Sequence, residues 1–334
     1  MIDEIRLGTI GSGIIVHSIL DGVRRTNGIR LEAVYSRTKE KGEALKKEYN
    51  AKKAYTNLEQ LMSDPDVNFI YVASPNNLHY IQTKMALEHG KNVICEKPFC
   101  TDKKQIDELI SLATEKQLYL IDATPTAYLP NFQILKEQIS KIGNLRLVLC
   151  NYSQYSSRYD QVLNGGLPNV FNSEFAGGCL QDINYYNIYF NIALFGKPEQ
   201  AVYFANICPG NVDSSGILLM KYPDFVSECA GAKDTWGVNS AQIEGDRGYI
   251  YIKNGSNGIE QIEVVTKQGT EIFDAQPDPD RWYYEVQNIT KKVLEGDREY
   301  FAERLSVTAN AIEVITKVRK EAGIWFTGET HEER

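Results

Sequence analysis

Two glycines one residue apart, Gly11 and Gly13, stand between a short, largely apolar run, Ile5–Ile10, and a segment of helical spacing, Ile14–Arg25. Glycine at such a junction lets the chain turn tightly. It also lets backbone N–H groups approach a pyrophosphate with no Cβ in the way. The helix N-terminus adds a favourable field for negative charge. The third position of the usual fingerprint is Val16 rather than glycine or alanine. The location of Gly11, Ser12, Gly13 and Ile14 therefore argues more than their spacing. A bound dinucleotide is the expected chemistry, with a plain strand–helix turn as the alternative. The end of the second strand bears on which dinucleotide. Tyr35-Ser36-Arg37-Thr38 offers no acid to accept from ribose hydroxyls. Ser36 and Thr38 can donate hydrogen bonds and Arg37 can face a 2′-phosphate. The reading leans to NADP(H), with NAD(H) also possible.

Two further polar clusters follow apolar runs. Ser74-Pro75-Asn76-Asn77-Leu78-His79 comes after Phe69–Ala73, and Glu96-Lys97-Pro98 comes after Val93–Cys95. Both fall at the carboxyl ends of expected parallel strands, where open α/β sheets bind ligands. Ser74, Pro75, Asn76, His79, Glu96 and Lys97 are thus candidate cofactor contacts. Lys97 is also a candidate catalytic group. Hydride transfer to a carbonyl leaves negative charge on oxygen, which a nearby ammonium stabilises and to which it can relay a proton. Glu96 either orients Lys97 or touches the cofactor, and Pro98 stiffens the turn. Asp182 and Tyr186 lie four residues apart in a segment of helical pattern, so one helix face can carry both. The plainer alternative makes Asp182 a cap and Tyr186 half-buried packing.

The elements that must hold these groups change character along the chain. Up to about residue 122, strands (Ile5–Ile10, Leu31–Tyr35, Phe69–Ala73, Val93–Cys95, Leu118–Ile121) alternate with helices (Ile14–Arg25, Lys39–Tyr49, Leu78–Glu88, Lys103–Glu115). That order predicts a doubly wound parallel sheet of Rossmann type over residues 1–122. Beyond it come longer strand-like runs: Leu145–Tyr152, Ala201–Asn206, Gly216–Tyr222, Phe225–Ala232, Tyr249–Ile252 and Ile259–Thr266. Helices are expected near Asn131–Ile139, Leu180–Phe195, Trp282–Glu295 and Ala302–Ala322, and a frayed tail from Thr327. Residues 123–334 therefore read as an α+β domain on a mostly antiparallel sheet.

Bulk properties narrow the function class. A chain of 334 residues suits about two domains. A net charge of −8 argues against nucleic acid or an anionic membrane as the main partner. Cys95, Cys100, Cys150, Cys179, Cys208 and Cys229 form no CxxC pair and read as reduced, buried thiols. His17, His79, His89 and His331 make no zinc-like cluster with them, so no metal is expected. With no signal-peptide pattern and no long apolar run, a soluble cytoplasmic protein is expected.

Taken together, the glycine loop, Ser74–His79, the run His89-Gly-Lys-Asn-Val-Ile-Cys-Glu-Lys-Pro98 and Ala176-Gly-Gly-Cys-Leu-Gln-Asp182 resemble the Gfo/Idh/MocA oxidoreductases. This family is named for glucose–fructose oxidoreductase, inositol dehydrogenase and rhizopine catabolism. The resemblance implies a Rossmann domain followed by a domain with a large open mixed sheet, one face of which commonly forms a dimer interface. A homodimer or higher homo-oligomer is therefore expected. It also implies that Lys97 lies beside the nicotinamide and the reacting oxygen. Asp with Tyr four residues on resembles the tyrosine branch, which includes dihydrodiol dehydrogenase. That casts Tyr186 as proton donor, and Asp182 as acceptor from a substrate hydroxyl or as a group orienting Lys97. The implied substrate is a small sugar, polyol, diol or related carbonyl compound, an anhydro sugar among them. Several residues depart from the family pattern. Gln181, Asn184 and Tyr185 stand where relatives mostly have apolar residues or glycine, and Asn184 is expected to reduce the room for ligand. Asp122 and Ala127 replace a glutamate and an arginine, which argues against a substrate anion at that point. These departures keep open an NADP-binding sensor without turnover. Tyr152, Tyr155, Tyr159, Tyr185, Tyr186 and Tyr189 could stack on sugar rings or form core and interface.

Overall fold

The computed structural model describes residues 2–329. The first eleven elements alternate as expected: β1 (Ile5–Ile10), α1 (Ile14–Arg24), β2 (Ile29–Tyr35), α2 (Lys39–Tyr49), β3 (Lys53–Tyr55), α3 (Leu58–Met62), β4 (Phe69–Val72), α4 (Asn76–Glu88), β5 (Asn92–Glu96), α5 (Lys103–Glu115) and β6 (Leu120–Ala123). The strands form one sheet in the order β3-β2-β1-β4-β5-β6, and every pair is parallel. Sheets covered on both faces need strands that are apolar throughout. β4 and β5 are buried at every residue. The order reverses between β1 and β4, so the loops after β1, β4 and β5 leave from neighbouring strand ends. The sequence reading missed β3 and α3, a three-residue strand and a five-residue helix too short to show a period.

The second part contains α6 (Pro130–Gln138), β7 (Leu145–Ser153), α7 (Tyr159–Leu163), α8 (Cys179–Asp182), α9 (Asn184–Phe195), β8 (Gln200–Cys208), β9 (Val212–Lys221), β10 (Val226–Ala232), β11 (Ser240–Gly245), β12 (Gly248–Lys253), α10 (Gly255–Gly258), β13 (Gln261–Thr266) and β14 (Gly269–Phe273). Its eight strands run in the order β14-β13-β12-β11-β7-β10-β9-β8. Among the described residues only β7 and β10 pair in parallel in this sheet, which is therefore mixed and mostly antiparallel. Alternation sorts the side chains by face. Val148, Cys150, Tyr203, Leu218, Met220, Cys229, Ile243 and Ile250 are buried, with α9 lying against β7 and β10. Leu147, Leu149, Val202, Phe204, Ile217 and Leu219 point the other way and are exposed. β11 and β14, both rich in polar residues, escaped the sequence reading.

Two helices close the chain, α11 (Arg281–Glu295) and α12 (Arg298–Glu321). They correct the expected boundary at residue 122. The chain divides into one compact unit of residues up to 128 with 280–309, and another of 129–279 with residues from 310 onwards. The cause is an apolar stripe on α11. Val286 and Ile289 meet Ile19 and Val23 of α1, and a Cβ added to Gly22 would sit 3.1 Å from Val286. The described tail is also better held than expected. Arg319 is 1% exposed and binds both carboxylate oxygens of Glu329, at 2.7 and 2.5 Å. His331 lies outside the described residues. The six cysteines are buried and none forms a disulfide, and among the described residues no helix is long and apolar enough to cross a membrane.

Candidate active site

The turn after β1 needs its first glycine twice over. Gly11 has φ +124°, and a Cβ there would lie 2.5 Å from the carbonyl oxygen of Ala73. Gly13 caps α1 in extended conformation, with open space where its Cβ would be. Val16 is buried beneath the turn, which explains a branched residue at the fingerprint's third position. Ile14 stands on the lip of the turn, 84% exposed. The Ser74 hydroxyl at the neighbouring strand end is buried without a protein partner. Buried hydroxyls are nearly always satisfied, so this one fits a ligand atom at the place where a dinucleotide is expected. At the end of β2, Ser36 is buried while Arg37 and Thr38 are exposed. The nearest acid in that strand, Glu32, is consumed by Arg30 and Lys52. The residues present fit a dinucleotide, including one with a 2′-phosphate.

Pro75 precedes α4 and Asn76 is its first residue. His79 departs from its expected role. Its ring is 1% exposed, with Nδ1 2.8 Å from the Pro98 carbonyl oxygen and Nε2 2.7 Å from that of Ser74. Both ring nitrogens are thus occupied by backbone. Burial depresses its pKa against the pull of those carbonyls. His79 is a clamp between the two strand-end loops rather than a cofactor contact.

Glu96 ends β5 and Lys97 follows it, joined to Pro98 by a cis peptide. Glu96 accepts from the Tyr71 hydroxyl at 2.5 Å and from the backbone N–H of Lys97 at 3.2 Å. Burial raises its pKa, while Tyr71 and Lys97 oppose the rise. The sequence reading did not single out Tyr71, nor Glu285 on α11. Glu285 is fully buried, and neither carboxylate oxygen has a hydrogen-bond partner. Burial first, then Glu96 and Asp122, push its pKa well up, which favours the neutral acid over the carboxylate. Tyr71 and Glu285 line one small cavity among Leu7, Ile19 and Ile94. An arginine also arrives where the sequence lacks one at Ala127. Arg304 of α12 donates to the Ala127 carbonyl oxygen at 3.2 Å and stacks on Tyr300 at 3.4 Å. Asp122 accepts from the Thr308 hydroxyl at 3.0 Å.

In the second unit the expected single helix is broken at Ile183, giving α8 and α9. Gly178 before it has φ +114°, and a Cβ there would meet Asp213 at 2.4 Å. Asp213 Oδ2 accepts from the backbone N–H of Leu180 and from the Tyr203 hydroxyl, both at 2.6 Å. Asp182 is paired with Lys233, Nζ to Oδ2 2.5 Å. Lys233 was also missed. Tyr186 is 5% exposed and packs edge-on against Tyr152, with Cys179 and Ile183 in the same cluster. Tyr152 accepts from Asn257 at 2.8 Å and donates to Gln154 at 3.1 Å. Asn184 corrects an expectation. Its amide donates to the Cys229 carbonyl oxygen at 2.9 Å, and its Cβ faces Gly231 on β10. It fills space against the sheet made available by that glycine. Tyr185 and Tyr189 are core, whereas Tyr155 stacks on Trp236, which is 80% exposed.

The described residues thus gather Ser74, His79, Glu96 and Lys97 in one unit, and Asp182 and Tyr186 in the other. Residues 5–123 match an oxidoreductase family with an NAD-binding Rossmann fold, Gfo/Idh/MocA. The chain is 32% identical over 328 residues to an uncharacterised oxidoreductase of Escherichia coli, covering 98% of this chain and 99% of that one. It is also 32% identical to the scyllo-inositol 2-dehydrogenase (NADP+) of Bacillus subtilis, covering 96% and 98%. Identity to the human trans-1,2-dihydrobenzene-1,2-diol dehydrogenase is 24%, over 96% and 98%. A solved 3-ketoreductase of Actinomadura kijaniata, in complex with NADP and TDP-benzene, superposes with a TM-score of 0.82 at 19% identity, covering 95% and 97%. That likeness shows a shared fold. With similarity running end to end along relatives of the same kind, the chain belongs to the Gfo/Idh/MocA family of NAD(P)-binding oxidoreductases, acting on CH–OH and C=O groups.

Proposed function

We propose that this protein moves a hydride between NADP(H) and a ring carbon of an inositol-like polyol, sugar or diol, with NAD(H) as a weaker cofactor. The observation that carries the reading is the set of neighbouring strand ends. There the Gly11 turn, the buried, partnerless Ser74 hydroxyl and Lys97 follow β1, β4 and β5. The nicotinamide supplies or accepts the hydride when bound. Gly11, Ser12, Gly13 and Ile14 seat the pyrophosphate at the α1 N-terminus, and Ser36, Arg37 and Thr38 receive the 2′-phosphate. Ser74, Pro75, Asn76 and Glu96 shape the nicotinamide end. Lys97 stabilises charge on the reacting oxygen, Tyr186 exchanges the proton and Asp182 accepts from a substrate hydroxyl. NADP is supported by the acid-free end of β2 and by the cofactor of the inositol-dehydrogenase relative. A polyol is supported by what that relative and the dihydrodiol dehydrogenase act on.

Two copies associate through the open sheet face in this reading. Phe204 pairs with Ile217 and Val202 with Leu219 across β8 and β9, and these side chains are 41–64% exposed. Six buried cysteines without a disulfide suit a reducing cytoplasm. The test is NADPH and NADH fluorescence quenching followed by turnover of scyllo-inositol with the tighter cofactor. Lys97→Met retains cofactor binding and loses about 10²–10⁴-fold in turnover. Full turnover by that variant overturns the assignment, and no turnover by the wild type on any polyol or diol favours a sensor. Tyr186→Phe likewise slows turnover with cofactor affinity unchanged; an unaltered rate removes it as proton donor.

A further inference from the structure

The short helix that carries Asp182 is held at both ends by side chains from other strands. α8 has four residues and ends at Ile183, whose φ of −107° interrupts the path into α9. So short a helix cannot fix its own orientation. At its start, Asp213 of β9 takes the Leu180 N–H. At its end, Lys233 takes the Asp182 carboxylate. Lys233 follows β10 and its backbone is locked on both sides. Its N–H donates to Ser214 at 2.8 Å and its carbonyl accepts from Ser156 at 2.9 Å. Its ammonium lies 4.9 Å from the Phe171 ring centre. The side chain is 4% exposed, against 28% for Asp182, so the cation is inside and the carboxylate at the edge. Burying an ammonium is expensive, and an apolar side chain of similar length would fill the space without that cost. The pair therefore does something that packing alone would not require.

We propose that Lys233 is a positioning residue: it holds Asp182 as a fixed, acceptor-only carboxylate that reads one hydroxyl of a vicinal diol on the substrate ring. This rests on the polyol reading above. A carboxylate accepts and cannot donate, so the held Asp182 selects an O–H donor. An analogue lacking that hydroxyl displaces water from the held carboxylate without returning a donor to it, which is how polar sites reject deoxy compounds. Without the lysine, protonation becomes the cheaper way to bury Asp182. The acceptor is then lost on the acid side of the activity profile.

The full-length protein is assayed with NADP+ and scyllo-inositol, trans-1,2-cyclohexanediol or cyclohexanol. Wild type is compared with Lys233→Met, Lys233→Arg, Asp182→Asn and the Lys233→Met/Asp182→Asn double variant. Lys233→Met raises KM for the two polyhydroxy probes by about tenfold or more and narrows their advantage over cyclohexanol. It moves the acid limb of kcat/KM toward neutral pH and leaves NADPH quenching unchanged. Lys233→Arg restores most of the loss. In the Asp182→Asn background the lysine substitution costs less than about twofold. Equal losses in both backgrounds, or an unchanged diol preference in folded Lys233→Met, overturn the proposal. Should Lys233→Met not fold, Lys233→Gln takes its place in the cycle. Saturation-transfer NMR with the same probes needs no turnover and separates two failures. If neither polyhydroxy probe binds wild-type protein with NADP+, the polyol reading falls and this one with it. If both bind equally well to wild type and Lys233→Met, the role of Lys233 alone is refuted.

Discussion

Glu285 and Asp182 are both carboxyl groups drawn out of bulk water, one in each unit, and the fold handles them in opposite ways. Glu285 lies in a small cavity beside Tyr71, with no donor to either oxygen, and burial first, then the nearby Glu96 and Asp122, push its pKa well up toward the neutral form. Asp182 lies at the edge of its unit, with a buried lysine committed to it. The first device stores a proton and the second a fixed charge. Low polarity around an acid thus leads to protonation or to pairing, and the partners within reach decide which. Asp213 adds a middle case: burial pushes its pKa up, while the Tyr203 hydroxyl and Leu180 N–H pull the other way.

The same chemical change, carboxyl to amide, should therefore have opposite signs at the two sites. Asp182→Asn leaves the Lys233 ammonium buried without its counter-charge, and costs about 2–4 kcal/mol in urea unfolding at pH 7. A loss below about 0.5 kcal/mol erases the contrast. Glu285→Gln should stabilise. A carboxyl whose folded pKa is raised contributes most below its unfolded value and costs stability as pH climbs from there toward the folded value. The variant's advantage should grow between pH 5 and pH 8, by at most about 1.4 kcal/mol per unit. Parallel stability curves for variant and wild type sink the neutral-acid assignment. Tyr71→Phe removes one donor to Glu96 and costs about 1 kcal/mol at pH 7. The cost should shrink at low pH as Glu96 becomes protonated, and a pH-independent loss speaks against the carboxylate partner. Arg37→Ala is the mildest. It weakens NADPH by about 3–10-fold and NADH hardly at all, by fluorescence titration; equal weakening of both argues against a 2′-phosphate contact.

How much of this was legible depends on range. The parallel sheet was readable because β1, β4 and β5 are short, largely apolar runs, each followed within a few residues by glycine, proline or charge. The candidate loops were readable because they sit at those ends. What escaped is what acts across the chain. Lys233 is 51 residues from Asp182, and Thr308 is 186 from Asp122. Such pairs leave no local pattern. Faint signals existed. Glu285 interrupts the apolar stripe of α11 that includes Val286, Ile289 and Val293. Asp213 is the second residue of a strand that is otherwise apolar or small up to Lys221, and Lys233-Asp234 abruptly ends the β10 run. A charge out of phase with its neighbours marked a buried carboxyl or ammonium in each case, partnered at Asp213 and Lys233 and without a hydrogen-bond donor at Glu285. Asn184 shows the reverse error. The side chain was assigned to the ligand side because the register of the broken helix, and the matching Gly231, could not be foreseen.

The return of residues 280–309 to the N-terminal unit has a practical corollary for protein engineering. A fragment cut at the last strand of the parallel sheet would bare the α1 face that α11 shields, including Ile19 and Val23. Grafting this nucleotide module onto another catalyst would therefore mean transplanting two separate stretches of sequence.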